Sequence, residues 1–443
     1  CPGDLSLAVR SGFPALTQSA HDEKSTSTKE DAGARCPPVY LDGAGGTQVH
    51  GSVVEAMGDA LVSKASNIGY DYASSVECLR LVSRGRQAAA DFLNCSSCEV
   101  VFGPSTTSLA FDLADALTSR FRPGDEIWLS QSDHDANVAP WLAMAERAGC
   151  QVKWLPVLPS HGCRLDLTGL EECASRGKGP ALLAIGAAAN ATGTVHDVSR
   201  AVALAKQANP ECLVAVDAVH WAPHHITDVK GWGCDFCFTS AYKWFGPHEA
   251  LLYGRAELLR SLPVRKVRPA TNDLPTLEGY ELGRWEKGTL NFEAIAGIEA
   301  AVEYLASLGE ERGAEGRTRR ARLVAGFEAI ESHERSLAEA FLAGLESLGA
   351  FELYGEPTPE GRCPTFLLRS RDARGPSPEQ LSRHLSAQGL MATYGNFYAV
   401  ELERALGFEG QGFLRVGFMH YNTHQEVQRL LRALDEATSI SRP

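Results

Sequence analysis

The regular alternation of short apolar runs with helical patterns is the feature that most constrains the fold. Apolar runs of strand length occur at Glu126–Ser130, 181–187, 212–216 and Phe236–Ser240, and helical stretches such as 199–207 separate several of them. Strands that are apolar along their whole length are typical of sheets covered on both faces. This order therefore predicts an α/β fold with a mostly parallel sheet sandwiched by helices.

The pattern becomes more mixed after about residue 300. An apolar helical face at 333–348, strand-like runs at 365–368 and 413–418, and an amphipathic helix at 425–437 follow one another there. Strands and helices mixed in this way predict a second, smaller α+β domain.

We therefore divide the chain into a large domain at 37–299, a small C-terminal domain at 300–443, and an N-terminal segment at 1–36 that joins the small domain. Residues 17–36 are polar and poor in aromatic side chains, which predicts a flexible insertion.

Composition excludes several classes of function. The formal net charge is -13, which argues against nucleic acid or an anionic membrane as the main partner. No run approaches the roughly 20 apolar residues that a membrane helix needs. The 12 cysteines are scattered, many of them in apolar runs. This pattern is typical of reduced thiols, and we expect an intracellular protein, either cytoplasmic or organellar.

Polar residues recur just after the predicted strands, where a doubly wound sheet binds its ligands. Thr106 and Thr107 precede a helix and could cradle a phosphate, although they are also ordinary helix-capping residues. His134 could stack on a flat cofactor and move protons, or it could be a polar loop residue. Asn190 could donate to a phenolate oxygen, or it could serve only the turn.

Asp217 ends the apolar run at 212–216 and needs a cationic partner if it is buried. A pyridinium nitrogen and a metal ion are both candidates for that partner. His220, His224 and His225 follow closely, but their spacing is not that of a helical zinc motif, and no cysteine or third carboxylate joins them tightly in the sequence. We therefore predict no metal at this position.

Lys243 lies among apolar residues just after the run Phe236–Ser240. Removal of water lowers the pKa of an amine, and a neutral lysine is a competent Schiff-base nucleophile. The alternative is a lysine whose head reaches water. Ser240, at the end of the same run, is placed for a phosphate oxygen.

With these residues in place, the chain resembles class V aminotransferase-fold proteins of the cysteine desulfurase type from about residue 9 to residue 434. The resemblance implies fold type I of the pyridoxal-phosphate (PLP) enzymes, with a seven-stranded sheet. The most specific matching segments are SDHDANVAPW, NATGT, VDAVHWAPHHITDV, SAYKWFGPH, KGTLNFEAIAGI and LRVGFMHYNTHQEVQRL.

The resemblance assigns roles around the PLP ring. Lys243 would carry PLP as a Schiff base and move the Cα proton of the substrate, and Asp217 would pair with the pyridinium nitrogen. His134 would stack on the ring and serve as a second catalytic residue. Asn190 and His220 would lie near the phenolate oxygen.

The resemblance also assigns the phosphate of PLP. Thr106, Thr107, Ser240 and Tyr242 would surround it. Thr289 matches a family residue that reaches the phosphate of the neighbouring subunit, which implies a homodimer.

The residues predicted to contact the substrate match the family pattern only in part. Arg415 matches the arginine that binds the α-carboxylate of an amino-acid substrate, and we expect Asn396 to contact the substrate as well. Desulfurases of this type carry a catalytic cysteine shortly before that arginine, whereas residues 391–400 contain none and Cys363 comes too early in the chain. The GNFYA segment instead resembles an uncharacterised desulfurase-like subfamily that is similar to fungal decarboxylating aldolases acting on cysteine sulfinate.

Three hypotheses follow. The first is a PLP-dependent lyase that cleaves a C–S bond of a cysteine derivative after Lys243 removes the Cα proton. The second is transamination, epimerisation, or decarboxylation with C–C bond formation on a similar amino acid. The third is a non-catalytic scaffold, which the joint presence of Lys243, Asp217, His134 and Arg415 argues against.

Overall fold

The computed structural model describes residues 5–17, 37–64, 66–277 and 283–439. Most of the predicted flexible insertion at 17–36 lies outside these residues. The described strands are β1 Val39–Tyr40, β2 Val100–Gly103, β3 Glu126–Ser130, β4 Gln151–Leu155, β5 Val157–Leu158, β6 Arg164–Leu165, β7 Leu182–Gly186, β8 Leu213–Asp217, β9 Phe236–Ser240, β10 Ala250–Gly254, β11 Phe351–Tyr354, β12 Thr365–Ser370, β13 Leu390–Met391, β14 Thr393–Gly395 and β15 Phe413–Gly417.

The described α-helices are α1 Leu5–Val9, α2 Pro14–Thr17, α3 Gly51–Ser63, α4 Ala73–Leu93, α5 Thr106–Leu117, α6 Ala139–Ala148, α7 Thr168–Arg176, α8 Val198–Ala208, α9 Val229–Trp232, α10 Ala256–Ser261, α11 Phe292–Gly309, α12 Arg319–Leu348, α13 Pro378–Ala387, α14 Val400–Ala405 and α15 His424–Ala437. Among the described residues, no helix is both long and apolar enough to cross a bilayer.

The large sheet has seven strands in the order β2-β10-β9-β8-β7-β3-β4. All neighbours pair in parallel except β10, which is antiparallel to both β2 and β9. The predicted α/β fold with a mostly parallel seven-stranded sheet is therefore confirmed. Apolar side chains on the two faces belong to separate core clusters, which contain for example Val214 and Leu183 on one face and Ala215 and Leu182 on the other.

A second sheet is formed by the C-terminal part of the chain. Its order is β11-β12-β15-β14 and all its pairs are antiparallel. Side chains of α12, α13 and α15, among them Phe341, Leu385 and Leu430, pack with Phe366 and Val416 of this sheet in a core cluster of their own. This arrangement agrees with the smaller α+β unit expected from the sequence.

The carboxyl ends of the parallel strands position the site. β3, β7, β8 and β9 lie side by side, so the loops that follow them meet at one edge of the sheet. The strand register places Gly186 opposite Asp217, the last residues of β7 and β8. Residues that are far apart in the sequence are thereby brought to one cavity.

Candidate active site

A cavity opens at this edge of the sheet, at the carboxyl ends of the parallel strands, where such sheets bind small ligands. Its lining consists of strand-end loops and the start of α5. The residues are Ser105, Thr106, Thr107, Asp133, His134, Ala136, Gly186, Ala188, Asn190, Asp217, Val219, His220, Ser240, Tyr242 and Lys243. Nine of the site residues predicted from the sequence (Thr106, Thr107, His134, Asn190, Asp217, His220, Ser240, Tyr242 and Lys243) therefore meet in one place.

Lys243 reaches the cavity from a 3-10 turn, Ala241–Lys243, that directly follows β9. Its Nζ donates hydrogen bonds to the backbone carbonyls of Ala44 and Gly45, the latter at 2.9 Å. Burial, followed by the positive charge of Arg415, lowers the pKa of this amine from 10.5 to about 7. A lysine of this kind is neutral often enough at pH 7 to act as a nucleophile or a base.

Asp217 is the last residue of β8 and lines the same cavity as Lys243. Its Oδ1 accepts a hydrogen bond of 2.8 Å from the backbone N–H of Val219. Burial raises the pKa of the carboxyl from 3.8 to about 6, against the opposing effects of that hydrogen bond and of the Lys243 charge. A cationic ring nitrogen in the cavity would hold this carboxylate in its charged form.

His134 begins the 3-10 turn Asp135–Asn137 after β3. Its Nδ1 accepts a 3.0 Å hydrogen bond from the backbone N–H of Ala136, which fixes the ring. Burial lowers the pKa of this imidazole to about 4, so the ring is neutral near pH 7. A neutral, fixed ring at the cavity wall is suited to stacking on a flat ligand.

Hydroxyl groups gather at the N-terminus of α5. Thr106 Oγ1 and Ser240 Oγ are buried and lie 2.8 Å apart, although one belongs to a helix and the other to β9. Thr107 and Tyr242 line the cavity beside them, and the Ser105 hydroxyl caps the helix by accepting from the backbone N–H of Ser108. A helix start with converging hydroxyls forms an anion site.

Two further predicted residues carry buried atoms without a partner among the described residues. They are Asn190 Oδ1 and His220 Nε2. The Asn190 amide nitrogen donates at 2.8 Å to the carbonyl of Phe397, so one of its donors is already engaged by the protein. Buried polar atoms without partners are uncommon and favour a bound polar ligand at this end of the cavity.

Arg415, in β15, lies beside the cavity but does not line it. Its guanidinium donates to Asp42 Oδ1 at 2.9 Å and to the Asn190 carbonyl at 3.1 Å, and its carbon atom is 4.1 Å from the centre of the Phe397 ring. Its Nε has no partner among the described residues. Asp42 and the Asn190 carbonyl engage two of the five N–H donors of the guanidinium, so the Nε–H and two others remain for a ligand.

The remaining two predicted residues lie elsewhere. The Asn396 side chain stays within its own loop, where Oδ1 accepts from the backbone N–H of Tyr398 and Nδ2 donates to Glu403. Thr289 is exposed and lines a separate surface groove with Phe111 and Trp285.

Two residues at the site, Asp133 and Asp42, were not predicted from the sequence. Asp133 lines the cavity, and burial raises the pKa of its carboxyl to about 7. Asp133 directly precedes His134 in the sequence, and this position beside a predicted site residue could have identified it. Asp42 comes from a loop 373 residues away from Arg415, and no pattern linked the two.

The loop at 396–398 was singled out from its sequence, but its backbone conformation and its contacts were not predicted. Phe397 and Tyr398 both have left-handed backbone conformations, with φ of 56° and 58°. Their carbonyls accept hydrogen bonds of 2.8 Å from Asn190 Nδ2 and from the backbone N–H of Asp135. The Tyr398 ring is 70% exposed and its centre lies 5.3 Å from that of His134. Adjacent non-glycine residues held in this region mark a functional loop.

Comparison with known proteins agrees with this architecture. Among solved structures, the chain is similar to the cysteine desulfurase CsdA of Escherichia coli (26% identity, 98% of each chain, TM-score 0.76). Among curated proteins it is similar to the aminotransferase-like protein FGM3 of Gibberella zeae, with 28% identity over 96% of this chain and 97% of that protein. It is also similar to a cysteine desulfurase of Klebsiella pneumoniae, with 29% identity over 98% of each chain.

The family profile of aminotransferase class-V matches residues 39–430, which includes both sheets and every cavity residue named above. The chain therefore belongs to the aminotransferase class-V family of PLP-dependent enzymes and is cysteine desulfurase-like.

Proposed function

We propose that the protein is a PLP-dependent lyase that cleaves the C–S bond of a cysteine derivative. The observation that carries the proposal is the buried amine of Lys243, with a pKa of about 7, in one cavity with the Asp217 carboxyl. An amine that can be neutral and a carboxylate that can pair with a ring nitrogen are the two groups that PLP requires.

The cavity suits PLP on observations independent of the resemblance. Thr106, Ser240 and the start of α5 offer donors to a phosphate, and His134 offers a neutral ring face. The unpartnered Oδ1 of Asn190 would accept a hydrogen bond from a polar ligand in the cavity. Lys243 would hold the cofactor covalently, and when bound the cofactor supplies the electron sink for a carbanion at the substrate Cα.

The residues of the chain would then act in a defined order. Arg415 binds the α-carboxylate with the donors that Asp42 does not use, and Phe397 holds the guanidinium plane. Lys243 takes the proton from Cα, and the sulfur group leaves with the electron pair of the C–S bond. Water then converts the three-carbon product into pyruvate and ammonia.

We favour less the alternative that the protein is a desulfurase that stores sulfur as a persulfide on one of its own cysteines. Ten cysteines lie in the described part of the chain, and none of them lines the cavity. Cys363 is fully buried, and burial raises the pKa of its thiol. Without an accessible thiolate, sulfur would leave as a small molecule instead of as an enzyme persulfide.

Transamination is the second candidate, supported by the similarity to the aminotransferase-like protein FGM3. Product analysis separates the two reactions. A lyase releases pyruvate, ammonia and a sulfur compound without a keto-acid co-substrate, whereas a transaminase requires one and releases no ammonia.

The test is to incubate the purified enzyme with cysteine and cysteine S-conjugates, and to measure pyruvate, ammonia and the released sulfide or thiol. With cysteine sulfinate, release of sulfite together with alanine would instead show cleavage in which the electron pair of the C–S bond stays on carbon. Lys243→Ala should abolish turnover and the visible absorbance of the attached cofactor, while the exposed control Lys178→Ala should keep both. Lys243→Ala activity within a few-fold of the wild type would refute the assignment. A persulfide found by mass spectrometry on any cysteine after turnover would refute release of free sulfur.

We also propose a homodimer in which Thr289 reaches the cavity of the other subunit. Thr289 is exposed and lies in a groove separate from the cavity of its own chain, which supports this role. Thr289→Ala should weaken PLP retention without changing the mass measured by light scattering. A monomeric wild-type protein would contradict the proposal.

A further inference from the structure

Three metal-ligating side chains meet in the interior beside the cavity. His220, His224 and Cys363 bring their ligand atoms to within 4.8 Å of one another, and all three residues are buried. The two histidines follow β8, whereas Cys363 precedes β12 and lies 143 residues beyond His220 in the chain. The cysteine that is absent from the local sequence is therefore supplied by the fold.

Both histidines have a ring nitrogen without a partner among the described residues. These atoms are His220 Nε2 and His224 Nε2. The side chain of His224 is fully buried, so water does not serve its Nε2 from the surface. Buried unpaired nitrogens that face a thiol form a donor set of the kind that binds a transition metal.

A carboxylate fixes the orientation of His224. The Oε2 atom of Glu334, in α12, lies 2.8 Å from His224 Nδ1. When Nδ1–H donates to this carboxylate, the lone pair of Nε2 is free and directed away from Glu334. A carboxylate behind a ligating imidazole is the usual outer partner of a protein zinc site.

We propose that His220, His224 and Cys363 bind one divalent transition-metal ion, with zinc the best match to two imidazoles and one thiolate. Binding releases the thiol proton of Cys363 and changes no oxidation state. The thiolate and the Glu334 carboxylate balance the two positive charges of the ion. The three ligands leave one tetrahedral position open.

The site joins two parts of the fold that carry the active centre. His220 belongs to the loop that directly follows Asp217, the last residue of β8. Cys363 leads into β12, which pairs with the strand of Arg415. A bound ion would therefore fix the cofactor side of the cavity to the substrate side. The inference does not depend on the reaction proposed above.

The holoenzyme is produced in zinc-supplemented medium and dialysed. Its metal content is then measured by elemental mass spectrometry. Wild type should carry about one zinc per chain, and Cys363→Ser and His224→Asn at least about tenfold less. Glu334→Gln should weaken zinc affinity about tenfold or more. Cys212→Ser is the matched control, since Cys212 is buried in the apolar core and its thiol donates to the backbone carbonyl of Leu213.

Cofactor absorbance is recorded on every sample, because its retention shows that a variant is folded. If the variants fail to fold, the metal-free wild type is titrated with cobalt, and a thiolate-to-cobalt charge-transfer band is expected. Zinc below about one-tenth per chain in the wild type, or full zinc in Cys363→Ser, would overturn the proposal. Absence of the cobalt band would overturn it as well.

Discussion

The ionisation of Lys243 gives the sharpest prediction, because it can be followed without knowing the substrate. A lysine with its ordinary pKa of 10.5 is neutral in about one molecule in 3,000 at pH 7, whereas a pKa of about 7 makes about half of the molecules neutral. Only the neutral amine attacks an aldehyde. Covalent loading of PLP should therefore be on the order of a thousandfold faster at pH 7 than for an unperturbed lysine.

The assay mixes apoenzyme with PLP and follows absorbance over a range of pH. Since the pKa is lowered, the neutral fraction rises with pH and levels off above the folded pKa. The loading rate should rise about tenfold per pH unit below 7 and be flat above it. A rate that continued to climb through pH 9 would show an ordinary lysine and refute the reasoning.

The same assay separates the two causes of the shift. Burial is the larger, and the positive charge of Arg415 is the next, whereas the charge of Asp42 acts in the opposite direction. Arg415→Gln removes the cation and frees Asp42, so the midpoint of loading should move above pH 7. Arg335→Gln, which removes an exposed ion pair with Glu360, should leave it unchanged. A fixed midpoint in Arg415→Gln would assign the whole shift to burial.

Two further predictions concern affinity and stability. Arg415→Ala should weaken binding of α-carboxylate substrates by about 2–5 kcal/mol, seen mainly in KM, and an unchanged KM for every amino acid would remove this residue from the site. Glu286→Ala should cost about 3–5 kcal/mol of unfolding free energy, because it leaves the buried cation of Arg86 unpaired. Denaturant titration should show this loss, while Glu172→Ala, in an exposed pair, should shift stability by no more than about 1 kcal/mol; equal losses would contradict the argument.

The sequence predicted the central strands of the large sheet well, because their apolar runs are long and continuous. The bounds of Glu126–Ser130 and Phe236–Ser240 are as predicted, and 212–216 is shifted by one residue. The edge strand Gln151–Leu155 was not found, since its side chains alternate between exposed and partly buried positions and do not form a continuous apolar run. Ala250–Gly254 was not predicted, because the prediction relied on strands that alternate with helices. This strand follows β9 without an intervening long helix and runs antiparallel to it.

Site residues were predictable where each follows a strand, because parallel strands bring their ends together. Lys243, Asp217 and His134 are of this kind. Pairings between distant loops were not predictable. The Asp42 partner of Arg415 and the approach of Cys363 to His220 depend on how the C-terminal sheet sits against the large one, which no local pattern records.

The loop at 396–398 is joined to the loops that follow the large-sheet strands through its main chain. The two carbonyls that hold it belong to Phe397 and Tyr398, and their donors come from the loops after β7 and β3. Another residue that tolerates a left-handed backbone could therefore occupy position 398 while these bonds persist, whereas Phe397 also contacts the Arg415 guanidinium. A change of the exposed side chain at 398 would alter the surface beside His134 without altering the strands beneath it.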